Sequence, residues 1–402
     1  MTLASGVAKS VRYKVEATYG LAPGASGAQL LRRVTSDLGL TKDTYQSNEI
    51  RSDYQVADFR HGVRKVGGSI KGELSSKTYG DFIAAALRKD FAAVTALTAV
   101  GLTIAGAGPY TVTRSAGSFL TDGIKVGDVI RLSVGSLNAA NINKNLLITS
   151  LTATVATVVV LNGVAMVAEG PVTGCTITVT GKKCYVPTTG HTDKSFYVEH
   201  WFSDVAQSEQ YSGCKVNTID INLPPTGISD ITVGLMGKDI ATGTSAYYTS
   251  PTAATATGVM AAVNGVVLVG GTQVAILTGL SIKVDGGYTG DPVVGSNSIA
   301  NVFPGRVKVS GSFSAYFQDA VMRDYFINES EISIVAAFTA DNTATADFVT
   351  FVLPRIKVGS ATKDDGEKGI IQSFDFTALY NSTGGTGTSS EQTTLVVQDS
   401  QM

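Results

Sequence analysis

Two stretches of the chain run through the same succession of elements. GSIKGELS (68–75) leads into KTYGDFIAAALRKDF, and VKVSGSFS (307–314) leads into YFQDAVMRDYFIN. Each begins with the alternation of a strand and passes into a helical period: Tyr79, Phe82, Ile83, Ala86 and Leu87 in the first, Phe317, Val321 and Tyr325 in the second. Thr78 is the expected N-cap of the first helix. Gly72 aligns with Gly311 across the two strands. Further on, FYVEHWFSDVAQSEQYSGCKV (196–216) parallels ISIVAAFTADNTATADFVTF (332–351), with Phe202 against Phe338; each is an apolar strand, a polar turn and a second strand. Each half closes with two more strands around a Pro/Gly or Asp/Gly turn. The Gly72–Gly311 interval is far longer than the Phe202–Phe338 interval, so the first copy carries an insertion between its helix and its next strand. That insertion, 92–192, reads as a compact β-domain of five or six short strands.

The 402 residues are 44% hydrophobic, enough for substantial cores, yet only 16% charged, so much of the surface is Thr, Ser, Gly and Asn. Such a surface suits extensive protein contacts. With 31 basic residues against 33 acidic ones, the chain lacks the clustered positive charge of a tight nucleic-acid binder. The N-terminus has no secretory h-region, which leads us to expect a cytoplasmic product. The most apolar window (258–277) is broken by glycines, Asn264 and Gln273 and is rich in valine, and so reads as buried strands. Cys175, Cys184 and Cys214 form no CxxC pair and read as packing residues, and Cys184, His191, His200 and Cys214 lack zinc-ligand spacing. No GxSxG, HExxH or GxxxxGK[ST] motif occurs, and His61, His191 and His200 fall in no catalytic motif. We expect no enzyme, cofactor or metal.

Charge is concentrated in one place. Residues 42–66 hold Lys42, Arg51, Arg60, Arg64 and Lys65 beside Asp43, Glu49, Asp53 and Asp58. This run and the strand and helix after it, LRRVTSDLGLTKDTYQSNEIRSDYQVADFRHGVRKVGGSIKGELSSKTYGDFIAAAL (31–87), resemble the tail tube (major tail) proteins of long-tailed bacteriophages, most strongly in Ser47–Asp53, Gln55–Asp58 and Arg60–Gly62. The segment AGSFLTDGIKVGDVIRL (116–132) is similar to decorating modules of such proteins.

The resemblance implies an all-β chain with minor α: two tandem tail-tube β-sandwich domains, each with a flanking helix, plus an inserted small β-barrel-like domain. The expected boundaries are 1–91 and 193–240 for the first tube domain, 92–192 for the insert on the tube exterior, and 241–402 for the second. It also implies rings stacked into a tube that conducts the genome. A chain with two tube domains would form the ring as a homotrimer with pseudo-sixfold symmetry. Expected partners are further copies of itself and the tape measure, tail terminator and distal tail proteins, with DNA passing unbound; the expected location is the virion tail, after assembly in the host cytoplasm. Glu49, Arg51, Asp53, Asp58, Arg60 and Arg64 are the candidates for an arm contacting neighbouring subunits or rings, their balanced charges setting register. The counterpart stretch of the second copy, 282–308, is sparser in charge. Alternation along GSIKGEL puts Ser69, Lys71 and Glu73 on one face, making Glu73, with Asp220, a lumen candidate. The alternative function is an adhesive or decorating protein binding a cell-surface carbohydrate, for which the insert offers Tyr110, Phe119 and Tyr185 and the following strand Trp201.

Overall fold

A computed structural model describes residues 3–364 and 366–402. The first lobe opens with β1 (Lys9–Val15), β2 (Ser26–Leu31), β3 (Thr35–Ser36), β4 (Gly39–Gln46), β5 (Phe59–Glu73) and α1 (Gly80–Leu87). A separate unit follows: β6 (Leu97–Ala105), β7 (Tyr110–Arg114), β8 (Val129–Ser133), β9 (Leu146–Leu151), β10 (Val155–Val160) and β11 (Glu169–Val179). After β12 (Lys182–Tyr185) the first lobe resumes with β13 (Phe196–Phe202), β14 (Gln207–Leu223), β15 (Asp230–Gly237), β16 (Asp239–Gly243) and β17 (Ser250–Thr252). The second lobe comprises β18 (Gly265–Val269), β19 (Thr272–Gln273), β20 (Leu277–Asp285), β21 (Lys308–Tyr316), α2 (Val321–Ile327), β22 (Ile332–Thr339), β23 (Phe348–Val358), β24 (Thr362–Lys363), β25 (Ile371–Ala378) and β26 (Val396–Asp399). The chain is therefore all-β with two short helices.

One antiparallel sheet spans both lobes in the order β4–β5–β15–β14–β20–β21–β25–β23, with β24 extending the last edge along β25. The lobes meet where β14 pairs with β20. The long strands β14 and β23 then leave this sheet and enter a second layer, β14 beside β13 and β16, β23 beside β22 and β26. β1 flanks β13 as β18 flanks β22. Between the layers lies one apolar core, where Tyr13, Phe82 and Phe196 pack ring to ring in the first lobe and Phe313 and Phe374 stack at 4.9 Å in the second.

Strand pairing corrects the alignment of the two copies. Phe202 and Phe338 do correspond, because Lys9 faces one and Gly265 the other. In the sheet, however, Asp220↔Thr232 is repeated as Thr362↔Ser373, and Ile70↔Val233 as Phe313↔Phe374. Gly311 thus takes the place of Gly68, four residues from Gly72. A four-residue slip keeps every side chain on its own face, so periodicity alone could not detect it. Gly72 has its own reason to be glycine: an added Cβ would lie 1.6 Å from the Tyr79 hydroxyl, which donates to the Arg32 carbonyl.

The helices differ from expectation at their starts. Tyr79, not Thr78, is the N-cap of α1; the Thr78 hydroxyl is bonded to Ser75 and Thr255. Arg88, left-handed at φ 57°, ends the helix. Phe317 precedes α2 rather than sharing its face.

The six strands between Leu97 and Val179 close into a barrel with its own apolar core. It is inserted in the first lobe but packs on the second. Val129, Leu147 and Leu161 meet Leu268, Val335, Ala337, Phe348, Val352 and Val396, on the side of the second layer facing away from the eight-stranded sheet.

Candidate functional site

The sandwich leaves one face of the eight-stranded sheet uncovered. Ile70, Ile231, Val233, Ile219, Ile221, Ile282, Val284, Phe374 and Phe376 point into the core, so strict alternation sends their neighbours outward. Register aligns those neighbours in rows: Lys71, Thr232, Asp220, Lys283, Ser310 and Thr377 in one; Glu73, Asp230, Asn222, Ser281, Ser312 and Asp375 in the next. Sequence reasoning placed Glu73 on a polar strand face and named Asp220 with it as a lumen candidate; both lie on this single surface. What it could not see was that the surface crosses from one lobe to the other without a break. Lys71 pairs with Asp230 at 3.2 Å and Lys283 with Asp220 at 3.6 Å, while among the described residues no salt bridge holds Glu73 or Asp375. At the far edge Glu331 holds Arg355 at 2.5 Å and Glu329 lies 3.8 Å from Lys357. Hydroxyls and carboxylates dominate the face.

The expected arm is a long hairpin of β4 and β5, and every residue from Asn48 to His61 is exposed. Its charges are paired within the arm: Arg51 with Asp53 at 2.7 Å and Arg60 with Asp58 at 2.8 Å. Glu49 is exposed nearby. Arg64 belongs to the base, where it pairs with Asp239 of β16 at 2.5 Å in its own subunit. Exposed pairs of this kind contribute little to stability. The feature that sequence reasoning passed over is apolar: Tyr45, Ile50, Tyr54, Val56 and Phe59 are all exposed, Ile50 and Tyr54 completely. Apolar residues recurring through a charged, turn-rich run were the available signal. A soluble monomer gains nothing from such a patch.

An uncovered polar sheet face, an apolar-tipped arm and a barrel on the opposite side describe a subunit built for assembly. The family model described as phage tail tube protein matches residues 6–378. The chain belongs to the phage tail tube proteins. A search of curated proteins returned no match.

Several titratable side chains of this tail tube protein are buried and engaged in packing. Burial, then Lys9 and Arg33, push the His200 imidazole down to about 3, leaving it neutral beside the Ser36 hydroxyl at 2.8 Å. Cys175, Cys184 and Cys214 are free and buried. Among the described residues no group of His, Cys, Asp and Glu could hold a metal, and no helix is long and apolar enough to cross a membrane. In the barrel Tyr110 and Phe119 are core residues, and Tyr185, on β12 beyond it, lies under the Lys89 ammonium at 3.3 Å. Trp201 lies half-buried beneath the Arg12 guanidinium, 6.0 Å from its ring centroid. These aromatics therefore offer no open sugar platform.

The tail tube protein's C-terminal segment fastens the barrel. The Lys183 ammonium lies 3.0 Å from Asp128 and 3.3 Å from Glu391, nearly inaccessible to solvent. Lys125 donates to the Gly385 and Thr388 carbonyls, both at 2.6 Å. The Gln398 amide accepts from the Val129 N–H and donates to the carbonyls of Val129 and Thr180. At the C-terminal end of β26, Asp399 accepts the backbone N–H groups of Lys77 (2.7 Å) and Gln401 (2.9 Å), yet burial pushes its carboxyl up to about 6.

A pH prediction follows from Asp399. Its folded value lies above the roughly 3.9 of an unfolded aspartate, so the native state holds the proton more tightly. The stability this group contributes is full below pH 4 and is lost as pH rises through 6, a change of about 2–3 kcal/mol. Urea titrations at pH 4 and pH 7 should show Asp399→Asn removing that component of the pH dependence.

Proposed function

We propose that this chain is the tube-forming subunit of a long-tailed phage, a homotrimer whose two lobes fill successive positions of a pseudo-hexameric ring, with rings stacked into the conduit for genome ejection. The supporting observation is the β14–β20 pairing, which joins two lobes of like strand order edge to edge and gives them one continuous polar face. Repeated around a closed ring, that face becomes the lumen wall, with Glu73 and Asp220 on it. A conduit must not grip its cargo. Cations that neutralise phosphates release counterions and bind duplex tightly, whereas here two of the lysines are tied to carboxylates and hydroxyls cover much of the rest.

The barrel, with the insert bounded at 92–192, then lies outside, because a full sandwich separates it from the polar face. The arm residues Glu49, Arg51, Asp53, Asp58 and Arg60 flank an apolar tip that contacts an adjoining ring, with Arg64 bracing the base. Partners are other copies, the tape measure, the tail terminator and the distal tail protein, in a virion tail put together in the host cytoplasm. The chemistry is mechanical, without a catalytic step.

Cryo-electron microscopy of the purified protein tests this. Rings of three chains with six similar lobes are expected, and persistent monomers at high concentration overturn it. Within that reading, Ile50→Asp with Tyr54→Asp should leave trimers and melting temperature unchanged, since both side chains are fully exposed, but shorten tubes to single rings. Tubes of normal length in electron micrographs would exclude the arm from stacking.

A further inference from the structure

The chain contains an internal template for the contact between its copies. Where the lobes join, Thr218, Ile219, Asp220 and Ile221 of β14 face Asp285, Val284, Lys283 and Ile282 of β20. The corresponding edges at the two ends of the eight-stranded sheet are open: among the described residues no strand pairs with the outer side of β4 or of β24. Pairing identifies which residues correspond. Thr362 stands where Asp220 stands, which places Ser360 at Thr218 and Ala361 at Ile219. On the other edge Ser36 faces Ile70 as Leu280 faces Phe313, so Leu38, Leu40 and Thr41 stand for Ile282, Val284 and Asp285.

We infer that the Ser360–Lys363 edge of one copy takes up the Leu38–Thr41 edge of a second copy, in the register of the joint between the lobes. This rests on the ring reading above. The side chains suit it. Leu38 and Leu40 already pack into the core, and inward-facing Ala361 and Lys363 would continue that row, the Lys363 ammonium being parked 3.8 Å over the Phe317 ring. On the outward side Ser360 and Thr362 would meet Thr41 and Gly39, continuing the small polar surface. Exposed edges otherwise invite uncontrolled pairing.

The same template seats the arm. The β20–β21 loop, between Asp285 and Lys308, folds back over the first lobe: Tyr288, Ile299 and Val302 bury against Tyr19, Val63 and Met236, and Lys215 donates to the Val302 carbonyl at 2.7 Å. The β4–β5 arm, between Thr41 and Lys65, is of similar length; its base packs on its own chain through Val63 and Arg64, but Asn48–His61 is exposed throughout. The counterpart of Lys215 is Lys357, half-exposed, 3.8 Å from Glu329 and close enough to Glu331 to act on its carboxyl. A second copy docked in this register brings the base of its arm over Lys357.

Cysteine cross-linking of the full chain reads the register directly, since directly opposed residues lie within disulfide reach. Thr41→Cys with Ser360→Cys should give covalent trimers on a non-reducing gel under mild oxidation. The offset pair Thr41→Cys with Thr362→Cys, and each single variant, should give little; the three native cysteines are buried. Rings that form, seen by microscopy, without the in-register cross-link overturn this inference and leave the tube reading standing. Persistent monomers overturn both.

Discussion

Replacing Lys183 by alanine should lower unfolding free energy by about 3–5 kcal/mol, because it leaves the Asp128 carboxylate buried without its partner and Glu391 without a counter-charge. Burial acts to lower the Lys183 amine, but Asp128 and Glu391 outweigh it and hold the amine raised and charged. The loss should be local before it is global. Lys183 joins the strand leaving the barrel to the loop that clasps it, so the barrel should come away from the second lobe at temperatures where both lobes remain folded. Limited proteolysis should then cut near 90–96 and 180–195, while calorimetry resolves two transitions where the native protein gives one. Lys183→Met with Asp128→Leu, which removes the buried charges together, should recover most of the loss. A single unchanged transition for Lys183→Ala would mean that apolar contacts alone hold the barrel.

The second large effect concerns the polar face. Asn222→Lys with Ser312→Lys adds two cations to the row that holds Glu73, Asp230 and Asp375. Both positions are solvent-facing, so rings and tubes should assemble normally. Each phosphate neutralised steepens the salt dependence of duplex binding by about 0.9 in log–log slope, and the addition repeats with every subunit along the tube. Phage built from this variant should eject DNA at least tenfold more slowly at low salt and recover as salt is raised. Lysines placed instead on the outer barrel surface should leave the rate alone. Native ejection by the Asn222 and Ser312 variant would show that this face does not line the channel.

Several elements were legible because they depend on local order. Alternation gave the strands, their in-or-out sense and the polar placing of Glu73; the helical period gave α1; the charged run located the arm. The four-residue slip between copies was illegible because a period of two is blind to even shifts. The N-cap at Tyr79 was missed because Thr78 has stronger bonding partners, one of them Thr255 far along the chain. The arm's apolar tip was overlooked because Ile50, Tyr54 and Val56 have the residue types of core positions, and exposure is a property of what surrounds a residue.

The sequence by itself therefore determined the all-β class, the repeated order of elements, the inserted unit and the resemblance to tail tube proteins, since each is written in spacing and residue type along the chain. Only the tertiary structure decided that a unit inserted in the first lobe docks on the second, that β14 and β20 fuse two polar faces into one, and that β4 and β24 are left as open edges. Those outcomes depend on which distant strands pair and which apolar faces find each other, and such choices are made between segments far apart in sequence, where periodicity carries no information.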